Sequence, residues 1–180
     1  MRIHLLVFYC VLSLAVPTRF LIGQASAGQP LPTSSAVPQK VAVSIGGDVP
    51  HPYTATADTL AALPRRTVRA ADHGQPEASY EGVALTDLLA RAGAPLGPSL
   101  RGAAMATYVL VSAADGYRVV FALAELDSHF TDRVIILADH KNGQPLNSRE
   151  GPVRIVVPAE KRPARWARAV VAISVRHASD

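Results

Sequence analysis

The sequence predicts one α+β domain, a mixed sheet accompanied by short helices. Three observations favour this fold class. Short apolar, β-branched runs recur along the chain, and 12 Gly and 14 Pro residues separate them into brief elements. Neither an internal repeat nor a regular βαβ alternation is present, which argues against solenoids and parallel α/β folds. The length from Gly28 to Asp180, the part that would remain after removal of an N-terminal signal, suits a single domain with a real core.

Strands are predicted wherever apolar residues alternate or β-branched residues cluster. Val41, Val43 and Ile45 alternate within the first such run, Lys40 to Ile45. Asp115-Gly116 indicates a β-hairpin, and Asn142-Gly143 indicates a second tight turn. The other predicted strands are Arg66 to Ala71, Tyr108 to Ser112, Tyr117 to Phe121, Val134 to Ala138, Val153 to Val157 and Val170 to Val175.

Two short helices are predicted from their terminal residues. Thr56 is expected to cap a helix over Ala57 to Leu63, which Pro64 ends. Thr86 is expected to cap a second helix, which ends at Gly93 in the left-handed conformation. The apolar residues of this second helix share one face and should pack on a sheet: Leu85, Leu88, Leu89 and Ala92.

The N-terminal region is interpreted as a signal peptide over residues 1–27, followed by a flexible leader over residues 28–39 and a domain over residues 40–177. The apolar run Leu5 to Val16 is short of the roughly 20 residues that a transmembrane helix needs, so no stable membrane span is expected after cleavage. A membrane anchor or a buried N-terminal strand is the alternative. The predicted location is therefore periplasmic or secreted, and the sole cysteine, Cys10, would be removed.

The composition excludes several classes of function. Loss of Arg2 and Arg19 with the signal would leave 16 basic and 14 acidic residues, too small an excess for nucleic-acid binding. The chain has no nucleophile elbow, phosphate-binding P-loop or zinc helix. Its histidines are scattered, so no metal site is predicted, and without Cys10 no disulfide or thiolate ligand remains.

Two clusters of polar residues are candidate sites. Asp115 and Tyr117, beside Arg118, place a carboxylate, a phenol and a guanidinium on one hairpin, unless they merely form a solvated turn. Arg154 interrupts the apolar run Gly151 to Pro158. An arginine there must extend to solvent, pair with a carboxylate or face a ligand cavity.

A third cluster surrounds Trp166, the only tryptophan of the chain. Arg165 and Arg168 flank it, and Lys161 and Arg162 precede it. Guanidinium groups and backbone N–H groups in such a loop suit a phosphate or another anion. The alternative is a solvated basic loop whose tryptophan covers the edge of the core.

Several of these segments, taken in order, make the chain resemble small bacterial relatives of the sulfite-oxidase-type molybdopterin-binding domain. The similarity covers roughly Lys40 to His177. The matching segments are Tyr80-Glu81-Gly82-Val83-Ala84-Leu85 with Asp87-Leu88-Leu89, Ala114-Asp115-Gly116-Tyr117, Gly143-Gln144-Pro145-Leu146, Gly151 to Pro158, and Arg165-Trp166-Ala167-Arg168 with the strand Val170 to Val175.

The resemblance implies an α+β fold that buries a molybdopterin, with a cysteine thiolate on the metal. The equivalent loop here reaches Ala70 and Ala71, and a methyl group cannot ligate molybdenum. The resemblance also implies candidate cofactor-binding residues: Arg154, Arg165, Arg168, His73, Asp115 and Tyr117.

Two functions are expected from this combination. The first is an exported module that binds a small anionic ligand or a pterin, or that serves a redox partner protein as an accessory subunit. The alternative is a periplasmic molybdopterin-dependent oxidoreductase that holds its cofactor without a protein thiolate. The missing cysteine favours the first.

Overall fold

The computed structural model describes residues 40–72 and 74–178. Two sheets and a few short helices form the described part of the chain, which agrees with the predicted α+β class. The strands are β1 (Ala42–Gly47), β2 (Tyr53–Thr56), β3 (Arg65–Ala70), β4 (Ala78–Ala84), β5 (Thr107–Ala113), β6 (Arg118–Ala122), β7 (Ile136–Lys141), β8 (Gln144–Pro145), β9 (Arg154–Val156) and β10 (Val170–His177). The α-helices are α1 (Ala57–Ala61) and α2 (Leu85–Ala92), and 3-10 helices cover Gly97–Ser99, Gly102–Ala106, Leu123–Glu125 and Pro163–Arg165.

The first sheet has the order β2-β1-β10-β5-β6, and only the β1–β10 pair in it is parallel. The second sheet has the order β3-β4-β7-β8, and β9 pairs with β7 as well. All pairs of the second sheet are antiparallel. Strand β9 therefore lies at the end of a sheet that also carries β3, whose C-terminal loop leads to Asp72.

One continuous buried cluster contains inward side chains from both sheets and from α2. Strand β9 is buried along its whole length, since Arg154, Ile155 and Val156 are each 0% exposed. Gly82 in β4 permits the close approach of β7, because a Cβ there would lie 2.1 Å from the Leu137 carbonyl oxygen. None of the helices in the described residues has the length and apolarity needed to cross a membrane.

The predicted hairpin and the second tight turn are confirmed, and the bounds of the predicted strands differ from the observed ones by at most three residues, whereas β2, β4 and β8 were not predicted. The Thr56 cap is also confirmed, because its hydroxyl accepts a hydrogen bond from the Thr59 N–H. The prediction that Thr86 caps the second helix is wrong. Helix α2 begins directly after β4 with Ala84 at the N-cap, and the Leu85 N–H donates to the Ile135 carbonyl. The neighbouring segment therefore satisfies this N–H in place of a capping side chain.

Candidate functional site

Arg154 is the centre of the candidate site. Its side chain is 0% exposed, and β9 is buried at every position, so the guanidinium cannot extend to solvent. Its Nη1 lies 2.9 Å from Asp72 Oδ2 and also donates to Glu150 Oε1. Both carboxylates are themselves almost completely buried. Of the three environments that the sequence allowed, pairing with carboxylates is therefore the one observed.

Two aromatic rings border the Arg154 guanidinium. Its central carbon lies 5.3 Å from the Trp166 ring centroid and 5.7 Å from that of Tyr80. The two rings meet edge to face, with centroids 5.8 Å apart. Each ring face attracts a cation, so the aromatic side chains favour the charged arginine that the carboxylates neutralise.

Two further cations approach the carboxylates from the outside. Arg168 Nη2 lies 3.6 Å from Asp72 Oδ2, and its side chain is 46% exposed. Lys141 Nζ lies 3.5 Å from Glu150 Oε1. Burial opposes the charged form of Lys141, but its contacts with Tyr80 and Glu150 outweigh this effect and raise its pKa. We call the following set the buried arginine cluster: Asp72, Tyr80, Lys141, Glu150, Arg154, Trp166 and Arg168.

Hydrogen bonding in the buried arginine cluster is incomplete. Arg154 Nε, Arg154 Nη2 and Trp166 Nε1 are buried and have no hydrogen-bond partner among the residues that the structure describes. An unpaired buried donor costs about 1–3 kcal/mol, and a charged donor costs more. Three such donors in neighbouring side chains could be satisfied by an additional acceptor, such as a water oxygen or the oxygen of an anion.

Arg165 forms a second site, in which every guanidinium nitrogen has a partner. Its Nε donates to Glu160 at 2.7 Å, and its Nη2 pairs with the same carboxylate. Its Nη1 donates to Glu125 at 3.0 Å, and its central carbon lies 4.5 Å from the Phe121 ring centroid. Burial opposes the Arg165 charge, but the two carboxylates outweigh this effect and raise its pKa.

The hydroxyl of Tyr117 donates to the Ala164 carbonyl at 2.6 Å, which ties the β5–β6 hairpin to the same turn. We call this second set the Arg165 clamp: Tyr117, Phe121, Glu125, Glu160 and Arg165. The clamp holds the turn Pro163–Arg165 against β6, which is an edge strand of the first sheet. A covered strand edge is less able to pair with a foreign strand.

The arginines that the sequence singled out as candidate cofactor-binding residues lie in two separate sites. Arg154 and Arg168 share the buried arginine cluster, whereas Arg165 and Tyr117 belong to the clamp. Asp115 lies in the exposed hairpin turn, where its carboxylate accepts from the Tyr117 N–H at 2.9 Å. His73 lies outside the described residues.

Sequence reasoning missed Asp72, Glu150 and Tyr80. Glu150 stands four residues before Arg154, and Asp72 directly follows the Ala70-Ala71 pair that occupies the expected cysteine position. Either neighbourhood could have suggested an ion pair. No local pattern in the sequence links Asp72 to Arg154 across more than 80 positions.

Two comparisons with known proteins bear on this geometry. A search of curated proteins gave no significant match. Among solved structures, the chain is similar to a chain in the crystal structure of the sulfane dehydrogenase SoxCD from Paracoccus pantotrophus, with a TM-score of 0.59 and 23% sequence identity. The similarity covers 74% of this chain but only 37% of that chain. At this identity the match establishes the shared fold.

The third comparison is with models of protein families. The model described as the oxidoreductase molybdopterin binding domain matches residues 29–180, beyond Cys10 and across all the described residues. The resemblance noted in the sequence is therefore confirmed: this chain belongs to the oxidoreductase molybdopterin binding domain family.

Proposed function

We propose that this protein is an exported binding module, which takes a small anionic ligand at the buried arginine cluster. One observation carries the proposal: Arg154 and Trp166 keep three buried N–H-bearing nitrogens without a partner among the described residues. Arg168 stands at the outer side of the same cluster with half of its side chain exposed. An anion that reaches Arg168 would therefore meet a half-exposed guanidinium first. The unpaired buried nitrogens of Arg154 and Trp166 lie in the same cluster.

The family implies a molybdopterin, so the donor set must be compared with that group. A molybdenum held by a protein thiolate, as the resemblance implies, requires a cysteine, and residues 29–180 contain none. At the expected position stand Ala70 and Ala71, followed by the carboxylate of Asp72, which neutralises Arg154. The residues present do not fit a thiolate-held metal cofactor, and the proposed function includes no step that depends on one.

Direct binding tests the proposal. Titration of the exported, processed protein with formate, nitrate, sulfate and phosphate in turn, at constant ionic strength, should show saturable binding of at least one anion by calorimetry. Replacement of Arg168 by Ala removes a charge-assisted contact of about 1.5–3 kcal/mol, so affinity should fall roughly tenfold or more. Arg149→Ala is the matched control, since Arg149 is exposed and its side chain makes no ion pair within the described part of the chain. Equal affinity in both variants would reject the cluster as the site.

Family membership supports a second candidate, a molybdopterin-dependent oxidoreductase whose cofactor is held without a protein thiolate. The fold shared with a SoxCD chain also supports a role as the partner of a redox protein. Metal analysis and mass spectrometry of released pterin distinguish these functions. Stoichiometric molybdenum in protein exported by a host that makes the cofactor would replace the binding-module proposal with the enzymatic one.

A further inference from the structure

We infer that Asp72 is the built-in occupant of an anion site, and that the ligand class of this site is a planar, singly charged oxyanion of the size of a carboxylate. The inference deepens the proposed anion-binding function and rests on it. It concerns the carboxylate that already fills part of the site in this chain, at Arg154 Nη1, beside the donors that remain open to an external ligand.

The position of Asp72 supports this role. Its carboxylate is nearly buried and lies between two guanidinium groups, 2.9 Å from Arg154 Nη1 and 3.6 Å from Arg168 Nη2. The residue belongs to the loop that follows β3, so a loop carboxylate enters a cluster built mainly on strands. A carboxylate between two arginines occupies the place that the carboxylate or other oxyanion of a bound ligand would take.

The charges of the cluster point the same way. Its described residues include three cations, Lys141, Arg154 and Arg168, but only two carboxylates, Asp72 and Glu150. Without Asp72, the excess of positive charge would grow around Arg154, whose side chain is fully buried. An uncompensated buried charge is strongly unfavourable, so an external anion of the right shape should bind where the carboxylate was removed.

The surroundings also limit the shape of the anion. Arg154 Nε and Nη2, which have no partner among the described residues, form one edge of a planar guanidinium, and a planar oxyanion accepts two parallel hydrogen bonds from such an edge. The Tyr80 and Trp166 rings have their centroids within 6 Å of the Arg154 central carbon, so a ligand beside this guanidinium must also fit against two aromatic rings. Formate and nitrate match these limits better than a tetrahedral sulfate does.

Replacement of Asp72 by a smaller residue tests the inference by chemical rescue. Asp72→Ala removes a carboxylate of the size of formate, and it should lower the Tm by roughly 5–10 °C because a buried pair loses one partner. Sodium formate, compared with sodium chloride at equal ionic strength, should restore about half of this loss or more. Asp72→Asn keeps the side-chain volume without the charge, so formate should leave its Tm unchanged relative to chloride. Should Asp72→Ala be recovered only unfolded, the refolding yield in formate against chloride replaces the Tm as the measure.

An additional substitution at Arg168 tests where formate binds in the Asp72→Ala variant. In the Asp72→Ala background, Arg168→Ala should weaken the formate effect several-fold, whereas Arg149→Ala should leave it intact. Equal stabilisation of Asp72→Ala by formate and chloride overturns the inference, as does equal rescue of Asp72→Asn. Wild-type protein that binds no anion, together with formate-specific rescue of Asp72→Ala, would reject the proposed function and keep Asp72 as the occupant. Wild-type protein that binds an anion, without formate rescue of Asp72→Ala, would keep the proposed function and reject Asp72 as the occupant.

Discussion

The buried arginine cluster and the Arg165 clamp use the same chemistry in opposite surroundings. Arg154 and Arg165 are eleven positions apart, each pairs with two carboxylates, and each lies against an aromatic ring. Arg154 is completely buried, however, and keeps two nitrogens without a partner among the described residues. Arg165 is 29% exposed, and all its nitrogens are paired.

This difference shows which arginine is suited to a ligand. A saturated guanidinium gains little from a new anion, because that anion must displace a carboxylate already in place. An unsaturated and desolvated guanidinium gains more, since water cannot supply the missing acceptor. The sequence of the basic loop alone would have favoured Arg165 as a ligand-binding residue. Its contacts show instead that it holds the turn Pro163–Arg165 in place.

The largest effect is expected from Arg154→Ala. The change leaves Asp72 and Glu150 buried beside fewer cations, so the free energy of unfolding should fall by about 3–5 kcal/mol. Urea denaturation followed by circular dichroism measures this loss. The exposed control Arg149→Ala should stay within about 0.5 kcal/mol of wild type. If Arg154→Ala lowered the free energy of unfolding as little as the control does, burial would not distinguish the buried arginine cluster from the Arg165 clamp.

A smaller effect is expected from Arg165→Ala. The clamp pairs are partly solvated, so their loss should cost about 1 kcal/mol. The loss should appear locally, as faster amide hydrogen exchange over residues 158–168 with little change elsewhere. Arg162→Ala is the matched control in the same loop, because no ion pair of its side chain is present in the described structure. A global loss comparable with that of Arg154→Ala would remove the contrast between clamp and cluster.

The smallest effect concerns a third arginine pair, Arg65 with Asp139 at the exposed side of the second sheet. Burial alone would raise the pKa of Asp139, but hydrogen bonds from Arg65 and His140 lower it below its ordinary value of 3.8. A carboxylate with a lowered folded pKa stabilises the fold above that ordinary value, and this stability disappears as the pH falls through the folded pKa. Acid titration of the free energy of unfolding should therefore be less steep below about pH 4 in Asp139→Asn, by less than about 1 kcal/mol in total. Identical acid slopes in the variant and wild type would refute the role of this pair.

Local patterns predicted most of the fold because they depend on neighbours in the chain. Alternation in β1, the Asp115-Gly116 turn and the Thr56 cap each involve only a few consecutive residues. The start of α2 was mispredicted because its first N–H is satisfied by Ile135, a residue 50 positions away. The candidate site was predicted only in part for the same reason: Arg154 and Arg168 are prominent in the sequence, but Asp72 and Tyr80 reach them through sheet pairing.

The sequence by itself determined the α+β class, the family and the absence of a cysteine from residues 29–180, since composition, spacing and motif order contain this information. Only the tertiary structure decided which charges meet. It brought the loop after β3 to β9, placed Asp72 between Arg154 and Arg168, and paired Arg165 with two other carboxylates. The physical reason is that the energy of an ion pair depends on distance and burial, and both are fixed by the packing of elements that are remote in the chain.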